Sequence, residues 1–395
     1  MADRPPTGVV HRGSRVPDRP TVSVIVLVLD RVDLLEVCLA TVAGSTSLPA
    51  EVVVVANGTE EAALSDLGRR DDVVLVRSGV NLGFGGGCDL AAEVARGEFL
   101  VFVNDDSRLD PGCIDRLVQR ARSTPDAGAV GSRIFAEDGS LQEAGGIIWS
   151  DGTSAHVGRD RPAGDTTYVT PRDVDYCSAN GLLVRRSAWD AVGGFDEAYY
   201  PAYYEDADLC MQLRRHGLRT VYEPTATLRH LETQSSSPEY RRFLMDRNRA
   251  TFRRRWSDAL ADQPAPPAAG RRGAIDRRVE ESRTLPVLDV RSESVPTGNG
   301  RAGDDGPVAA GPWSDGAGPG RAEPAMEERE LRHARFALEV KDAWIATLTD
   351  ELRASREREE HRTRFRRQAR SVGRRVQAIV PPSVTARIRT RRGNR

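Results

Sequence analysis

Lysine is almost missing from this sequence. Lys341 is the only one among 57 basic side chains, so nearly all positive charge is arginine. Cysteine is also sparse. Cys38, Cys88, Cys113, Cys177 and Cys210 are odd in number, well separated, and form no Cys-x-x-Cys pair. That excludes a disulfide framework and a zinc knuckle and points to a reducing compartment. No long apolar run is present; the stretch from Val22 to Leu29 falls far short of the roughly 20 residues a bilayer span needs. The opening residues lack the charged-then-apolar shape of a signal peptide. The expectation is therefore a cytoplasmic protein. Net charge is only −1, so no global field favours nucleic acid or membrane.

What is present is a regular alternation. Thr21 to Leu29, Glu51 to Val55, Val73 to Val76 and Phe99 to Val103 are short apolar runs that read as buried strands. Asp33 to Glu36 resembles a capping box, with Leu34, Leu35, Cys38, Leu39 and Val42 on one helical face. A helix is expected from Asp89 to Arg96. Strand and helix recur about every 25 residues, the pattern of a parallel doubly wound α/β sheet. Between the third and fourth strands lies Asn81-Leu-Gly-Phe-Gly-Gly-Gly87. No Gly-Lys-Ser/Thr follows, so it is not a Walker loop. It reads either as a flexible turn or as backbone N–H groups offered to phosphate or sugar oxygens.

Two acidic clusters carry the chemistry. The first is Asn104-Asp105-Asp106, just past the carboxyl end of the Phe99 strand, where open α/β sheets bind ligands. Two carboxylates and an amide oxygen suit Mg²⁺ or Mn²⁺ held together with diphosphate oxygens. The second is Glu205-Asp206, at the start of an amphipathic helix whose dipole favours ionised carboxylates. Each alone could be a helix cap. Between them, residues 136–173 read as hairpins and loops over the site, and Thr225 to His230 as a last strand ending in histidine.

In order, Ser23 to Asp30, Val52 to Gly58, Asn81 to Asp89, Phe99 to Ser107, Asn180 to Arg186, Gly193 to Glu197, Glu205 to Cys210 and His230 resemble the motifs of family 2 nucleotide-sugar glycosyltransferases. The likeness includes the rhamnosyl- and galactofuranosyl-transferases and covers about residues 20–256. It implies a Rossmann-like A-type glycosyltransferase fold, a divalent metal (Mg²⁺ or Mn²⁺), a nucleotide-diphosphate sugar donor and transfer with inversion. It implies a glycan or lipid-linked saccharide acceptor, in cell-wall or surface polysaccharide synthesis. By position it makes Asp206 the catalytic base with Glu205 its neighbour, and Asp106 and His230 metal ligands. Asp30, Asn57, Asn81, Gly83, Gly86, Asn104 and Asp105 then line the donor nucleotide and its phosphates. Two departures stand out. The family's acid after the second strand is Ala56 here, with Asn57 beside it, and the first acid of its Asp-x-Asp motif is Asn104. Ala56, together with Val28-Leu29-Asp30 in place of the family's Thr-Tyr-Asn, leaves the donor nucleotide open, and Asn104 takes one negative charge from the metal site. They also motivate a second reading, a catalytically weak relative acting as a scaffold through its C-terminal parts.

Those parts differ in composition. Residues 1–20 read as a loose arm and 257–325, rich in Pro, Gly, Ala, Asp and Arg, as a disordered linker. A helix is expected over 326–375. Leu331, Ala334, Leu338, Lys341, Ile345, Leu348 and Leu352 recur at 3 and 4 residues, which suits a coiled-coil homodimer, docking on another protein, or a single amphipathic helix. From His361 the last 35 residues hold 12 arginines and no Asp or Glu. This basic tail, 376–395 at its end, reads as a peripheral contact with the inner face of a membrane, as a nucleic-acid contact, or as a solvated tail.

Overall fold

The computed structural model describes residues 8–59, 66–232, 237–267, 331–350 and 352–353. The chain divides into two units, Met1–Ala337 and Leu338–Arg395. In the first unit the strands are β1 (Gly8–Arg12), β2 (Val22–Val28), β3 (Ala50–Asn57), β4 (Val73–Ser78), β5 (Phe99–Asn104), β6 (Ser107–Leu109), β7 (Ala127–Phe135), β8 (Leu141–Glu143), β9 (Gly146–Ile148), β10 (Ser154–His156), β11 (Arg172–Val174), β12 (Leu182–Arg185) and β13 (Arg219–His230). The helices are α1 (Val32–Gly44), α2 (Gly83–Val94), α3 (Cys113–Ser123), α4 (Arg186–Val192), α5 (Glu205–Arg215), α6 (Pro238–Arg255) and α7 (Ser257–Ala261).

One large sheet runs in the order β1-β4-β3-β2-β5-β12-β7-β13-β11, with β6 and β8 attached to β13 and β7. β9 and β10 form a separate hairpin. The first half, β4-β3-β2-β5, is parallel, as the alternation predicts. The second half is not. β12 runs antiparallel to both β5 and β7, so the sheet is mixed and the purely parallel expectation is corrected. The reason is the chain path. After β7 it makes hairpins through β8, β9 and β10 rather than a helical crossover, and it can re-enter the sheet in either direction.

β5 shows why its run is uninterrupted. Phe99, Val101 and Val103 pack with α1 and α3 side chains such as Leu35 and Leu117. Leu100 and Phe102 point the other way, onto Leu90 of α2 and Trp189 of α4. A strand covered on both faces needs apolar residues at both parities. Each such side chain, fully buried, stabilises by about 1.5–3 kcal/mol. The helices follow their apolar spacing. α1 buries Leu35, Cys38, Leu39 and Val42, although Asp33 lies within its first turn and takes Arg31 rather than capping it. α3 buries Ile114, Leu117, Val118 and Ala121 and carries Arg120 and Arg122 in its last turn, where the dipole favours cations.

Three further expectations change. The arm over 1–20 supplies an edge strand, since β1 pairs antiparallel with β4 and Gly13 N–H donates to the Val73 carbonyl. The glycine run is not a loop before a helix; it is the first turn of α2. The folded region continues past 256 through α7, and the Pro264 carbonyl accepts from the Ser150 N–H. Residues 268–330 and the basic tail lie outside the described residues. The expected C-terminal helix is present over 331–350. Its Leu331, Leu338, Ile345, Leu348 and Leu352 are 37–61% exposed.

Candidate active site

β5 delivers Asn104 to the carboxyl edge of the sheet, and the chain turns at Asp105 and Asp106 into β6. β6 pairs with the end of β13, which sets His230 opposite Ser107. β13 gets there through an irregularity between Glu223 and Thr227 in its pairing with β7. Pro224 lies in that gap; it has no N–H for a ladder bond, so the strand bulges there and resumes its pairing beyond. The result is a contact between residues 124 apart in sequence. His230 Nε2 lies 3.0 Å from Asp106 Oδ1 and 3.2 Å from the Asn104 amide nitrogen. On its other side, His230 Nδ1 is 2.9 Å from Gln142 Nε2, supplied by β8. An ionised Asp106 only accepts, so Nε2–H donates to it and Nδ1 accepts from Gln142; the Asn104 Nδ2, itself a donor, is then a neighbour of Nε2 and not its hydrogen-bond partner.

Asp105 is crowded. Burial raises its carboxyl to about 7, and the charges of Asp106 and Asp30 add to that, with Arg31 opposing. Asp30, Asp105 and Asp106 are thus three acids around one strand end. Among the described residues no group of three or more His, Cys, Asp or Glu forms a metal cage. Asp106 and His230 alone offer one oxygen and one nitrogen. That is the sparse donor set typical of cations that share their shell with substrate phosphates and water. Gln142 can serve such a set. Its Oε1 is buried and has no partner among the described residues. Turned about, that oxygen would accept Nδ1–H and leave the Nε2 lone pair for a cation. The residues present therefore fit a divalent metal.

The second acidic cluster begins α5. Asp206 Oδ1 accepts from the Ala207 N–H at 2.7 Å. Burial raises its carboxyl to about 6; Glu143 adds to the rise, while His156 and the N–H groups of Ala207 and Ala179 oppose it. Glu205 is pushed well above the usual range by burial and by Asp206. The pair therefore keeps a proton on Glu205 and a charge on Asp206 near neutral pH. Glu143 and His156 form an ion pair at 2.7 Å. Burial works against both charges, but each holds the other charged, so Glu143 is lowered and His156 raised.

Two pairs of consecutive residues tie the clusters together. Asn180 Oδ1 accepts from the Asn104 N–H at 3.1 Å and from Ser107 Oγ at 2.9 Å, while its neighbour Ala179 contacts Asp206. Gln142 touches His230, while its neighbour Glu143 pairs with His156 beside Asp206. Neighbouring Cα atoms are about 3.8 Å apart. The Asp106–His230 contact and Asp206 therefore flank the same two segments.

The glycine region is used differently from the expectation. Asn57 commits both ends of its carboxamide to the start of α2, donating to the Gly83 carbonyl at 2.9 Å and accepting from the Leu82 N–H at 2.8 Å. Asn81 Oδ1 accepts from the Gly83 N–H. Gly83 has φ +71°, and a Cβ there would sit 2.6 Å from the Pro201 carbonyl oxygen. A Cβ on Gly86 would meet His333. These residues pack α2 against the turn before α5, and their polar groups serve one another. Asp30 is exposed beyond β2, beside Asp105.

The profile described as "Glycosyl transferase family 2" matches residues 23–190. An N-acetylglucosaminyl-diphospho-decaprenol L-rhamnosyltransferase of Mycobacterium tuberculosis is 31% identical over 241 residues, 55% of this chain and 78% of that protein. The chain belongs to glycosyl transferase family 2. Other relatives are far longer. The chain spans 26% of the y4gI protein of Sinorhizobium fredii, at 29% identity over 60% of this chain. It spans 18% of the O-antigen biosynthesis protein RfbC of Myxococcus xanthus, at 32% identity over 55% of this chain. Among solved structures, GalNAc-T7 with UDP, GalNAc and Mn²⁺ gives a TM-score of 0.49 at 15% identity, covering 68% of this chain and 55% of that one. The mannosyltransferase PcManGT of Pyrobaculum calidifontis, with GDP-Man and Mn²⁺, gives 0.43 at 17%, covering 67% and 70%. Membership of family 2 implies the Rossmann-like A-type glycosyltransferase fold, and the parallel half of this chain's mixed sheet accords with it. Glu143, His156 and Asn180 lie within the matched region; Glu205, Asp206 and His230 lie beyond it.

Sequence reasoning missed Gln142, Glu143 and His156. They sit in the 136–173 stretch, whose composition shows only hairpins. Asn180 stood in a quoted motif without a role; an amide at the start of a strand beside β5 was the available signal.

Proposed function

We propose that this protein transfers a sugar from a nucleotide-diphosphate donor to a hydroxyl of a glycan or lipid-linked saccharide, with inversion. What supports this reading is that the Asp106–His230 contact and Asp206 flank the same two segments, Ala179–Asn180 and Gln142–Glu143. Asp106 and His230 would hold the divalent cation. When bound, that ion supplies charge stabilisation to the departing diphosphate. Asp105 and Asp30 lie at the nucleotide side of the same edge. Asp206, ionised beside a neutral Glu205, takes the proton of the acceptor hydroxyl as its oxygen bonds to the anomeric carbon. The bond from that carbon to the phosphate oxygen breaks, and its electrons leave with the nucleoside diphosphate. One base on the face opposite the leaving group gives a single displacement and so inversion.

The Mycobacterium tuberculosis relative, an N-acetylglucosaminyl-diphospho-decaprenol L-rhamnosyltransferase, makes a deoxysugar donor and a lipid-linked acceptor the first to try. Among the described residues no helix is long and apolar enough to cross a membrane. A cytoplasmic location, with the basic tail meeting anionic lipid, belongs to this proposal, as does pairing of two copies through the exposed leucine stripe. The test is donor hydrolysis and transfer across nucleotide-diphosphate sugars, with Mn²⁺ and with a chelator. One donor turned over only with metal is expected. Failure of any nucleotide diphosphate to bind would sink the enzyme reading and favour the scaffold.

A further inference from the structure

The turn that carries Glu205 and Asp206 is held from outside the cleft. Tyr203 and Tyr204 both have φ of +78°, a conformation that bulky residues seldom adopt. Two in succession persist only where the surroundings over-determine them. The Tyr204 hydroxyl donates to the Gly152 carbonyl at 2.9 Å, and the backbone of the turn is gathered by one side chain from the middle of α6. Asn248 is fully buried, and its Nδ2 donates to the carbonyls of Tyr199, Ala202 and Tyr203 at 3.1, 2.9 and 2.8 Å. Three carbonyls of one turn thus converge on a single amide group. Arg247 fixes which way that amide points. Its Nη1 donates to Asn248 Oδ1 at 2.7 Å and to the Tyr200 carbonyl at 3.0 Å. Asp208, one helical step beyond the acid pair, ties the same turn to the end of α6. It accepts from the Tyr199 hydroxyl at 2.8 Å and from Trp256 Nε1 at 2.7 Å.

We propose that Asn248 is a positioning residue for Asp206, clamping the Tyr199–Tyr204 turn so that the carboxylate meets the acceptor hydroxyl, with Arg247 orienting the clamp. This rests on the reading of Asp206 as the base. Asn248 itself reaches neither donor nor acceptor. It acts by fixing where α5 begins, and a displacement of about 1 Å at a reacting group is enough to lose about 100-fold in rate.

Asn248→Asp keeps the shape and removes the N–H donors, so an oxygen then faces three carbonyl oxygens. The expected result is kcat lower by about 10- to 100-fold, with nucleotide-diphosphate affinity and donor KM within about two-fold. The acidic limb of the pH profile should move as well, because the surroundings of Asp206 change. A purely structural role would leave that limb in place. A folded N248D enzyme with kcat within about two-fold of wild type and an unmoved limb overturns the proposal. Where N248D does not fold, Arg247→Gln decides by the same readings: a several-fold drop in kcat with a shifted limb supports it, and wild-type behaviour overturns it. Asp206→Asn is measured beside them. If D206N transfers normally, the base reading falls and takes this one with it. If D206N is inactive while N248D and R247Q behave as wild type, the clamp alone is wrong.

Discussion

Asp206 lies among three other titratable groups, and their arrangement decides which form it takes. Burial, with Glu143 adding and His156 and two backbone N–H groups opposing, raises it to about 6. A base must be ionised, and a raised carboxyl is ionised only above its own pKa. The expected profile of kcat/KM is therefore flat above about pH 6 and falls about ten-fold per unit below it; a limb near pH 4 would contradict the burial argument. His230 depends in the same way on a neighbour. Gln142 is its only partner on the Nδ1 side among the described residues. Replacing Gln142 by Leu should weaken Mn²⁺ by about 10- to 100-fold, the usual effect of losing a group that orients a ligating histidine. Titration of Mn²⁺ against transfer, and against nucleotide-diphosphate binding, checks it. At this scale the acids and His230 were legible because their types and order are chemically restrictive. Gln142, Glu143 and His156 were not, because an isolated polar residue in a hairpin gives no periodic signal.

At the scale of elements, legibility followed burial. β5 and its parallel neighbours were evident because covering both faces forces an unbroken apolar run. The direction of β12 depends on chain path, which no local pattern encodes. The glycine run carries two readings for a physical reason. Glycines mark close approach of backbone, and a phosphate and a neighbouring turn require the same lack of a side chain. Gly83 meets the Pro201 carbonyl, and the Phe84 N–H donates to it at 2.7 Å. Gly83→Ala must therefore strain φ and push the turn before α5 away. We expect a loss of about 1–3 kcal/mol in denaturant unfolding, together with slower transfer. An alanine variant of unchanged stability would mean that the approach is looser than 2.6 Å.

At the scale of the whole molecule, the catalytic unit follows from its sequence order, and the second unit is a separate matter. Its described helix carries Leu338, Ile345, Leu348 and Leu352 on the surface, with Leu331 in the same register. If two copies pair there, L338D with I345D should convert a dimer into a monomer in analytical ultracentrifugation while leaving kcat unchanged; a wild-type monomer at working concentrations would end that idea. In the proposed site, β5, β8, β13 and α5, which are far apart in the chain, act together. Its chemistry requires all four to act on one donor. The most direct measurement is a crystal structure with Mn²⁺ and a nucleotide diphosphate. It should show the ion touching Asp106, His230 and two phosphate oxygens, with Asp206 across the cleft from the terminal phosphate. A nucleotide seated away from Asp106, or an Asp206 carboxylate turned out of that cleft, would contradict the account.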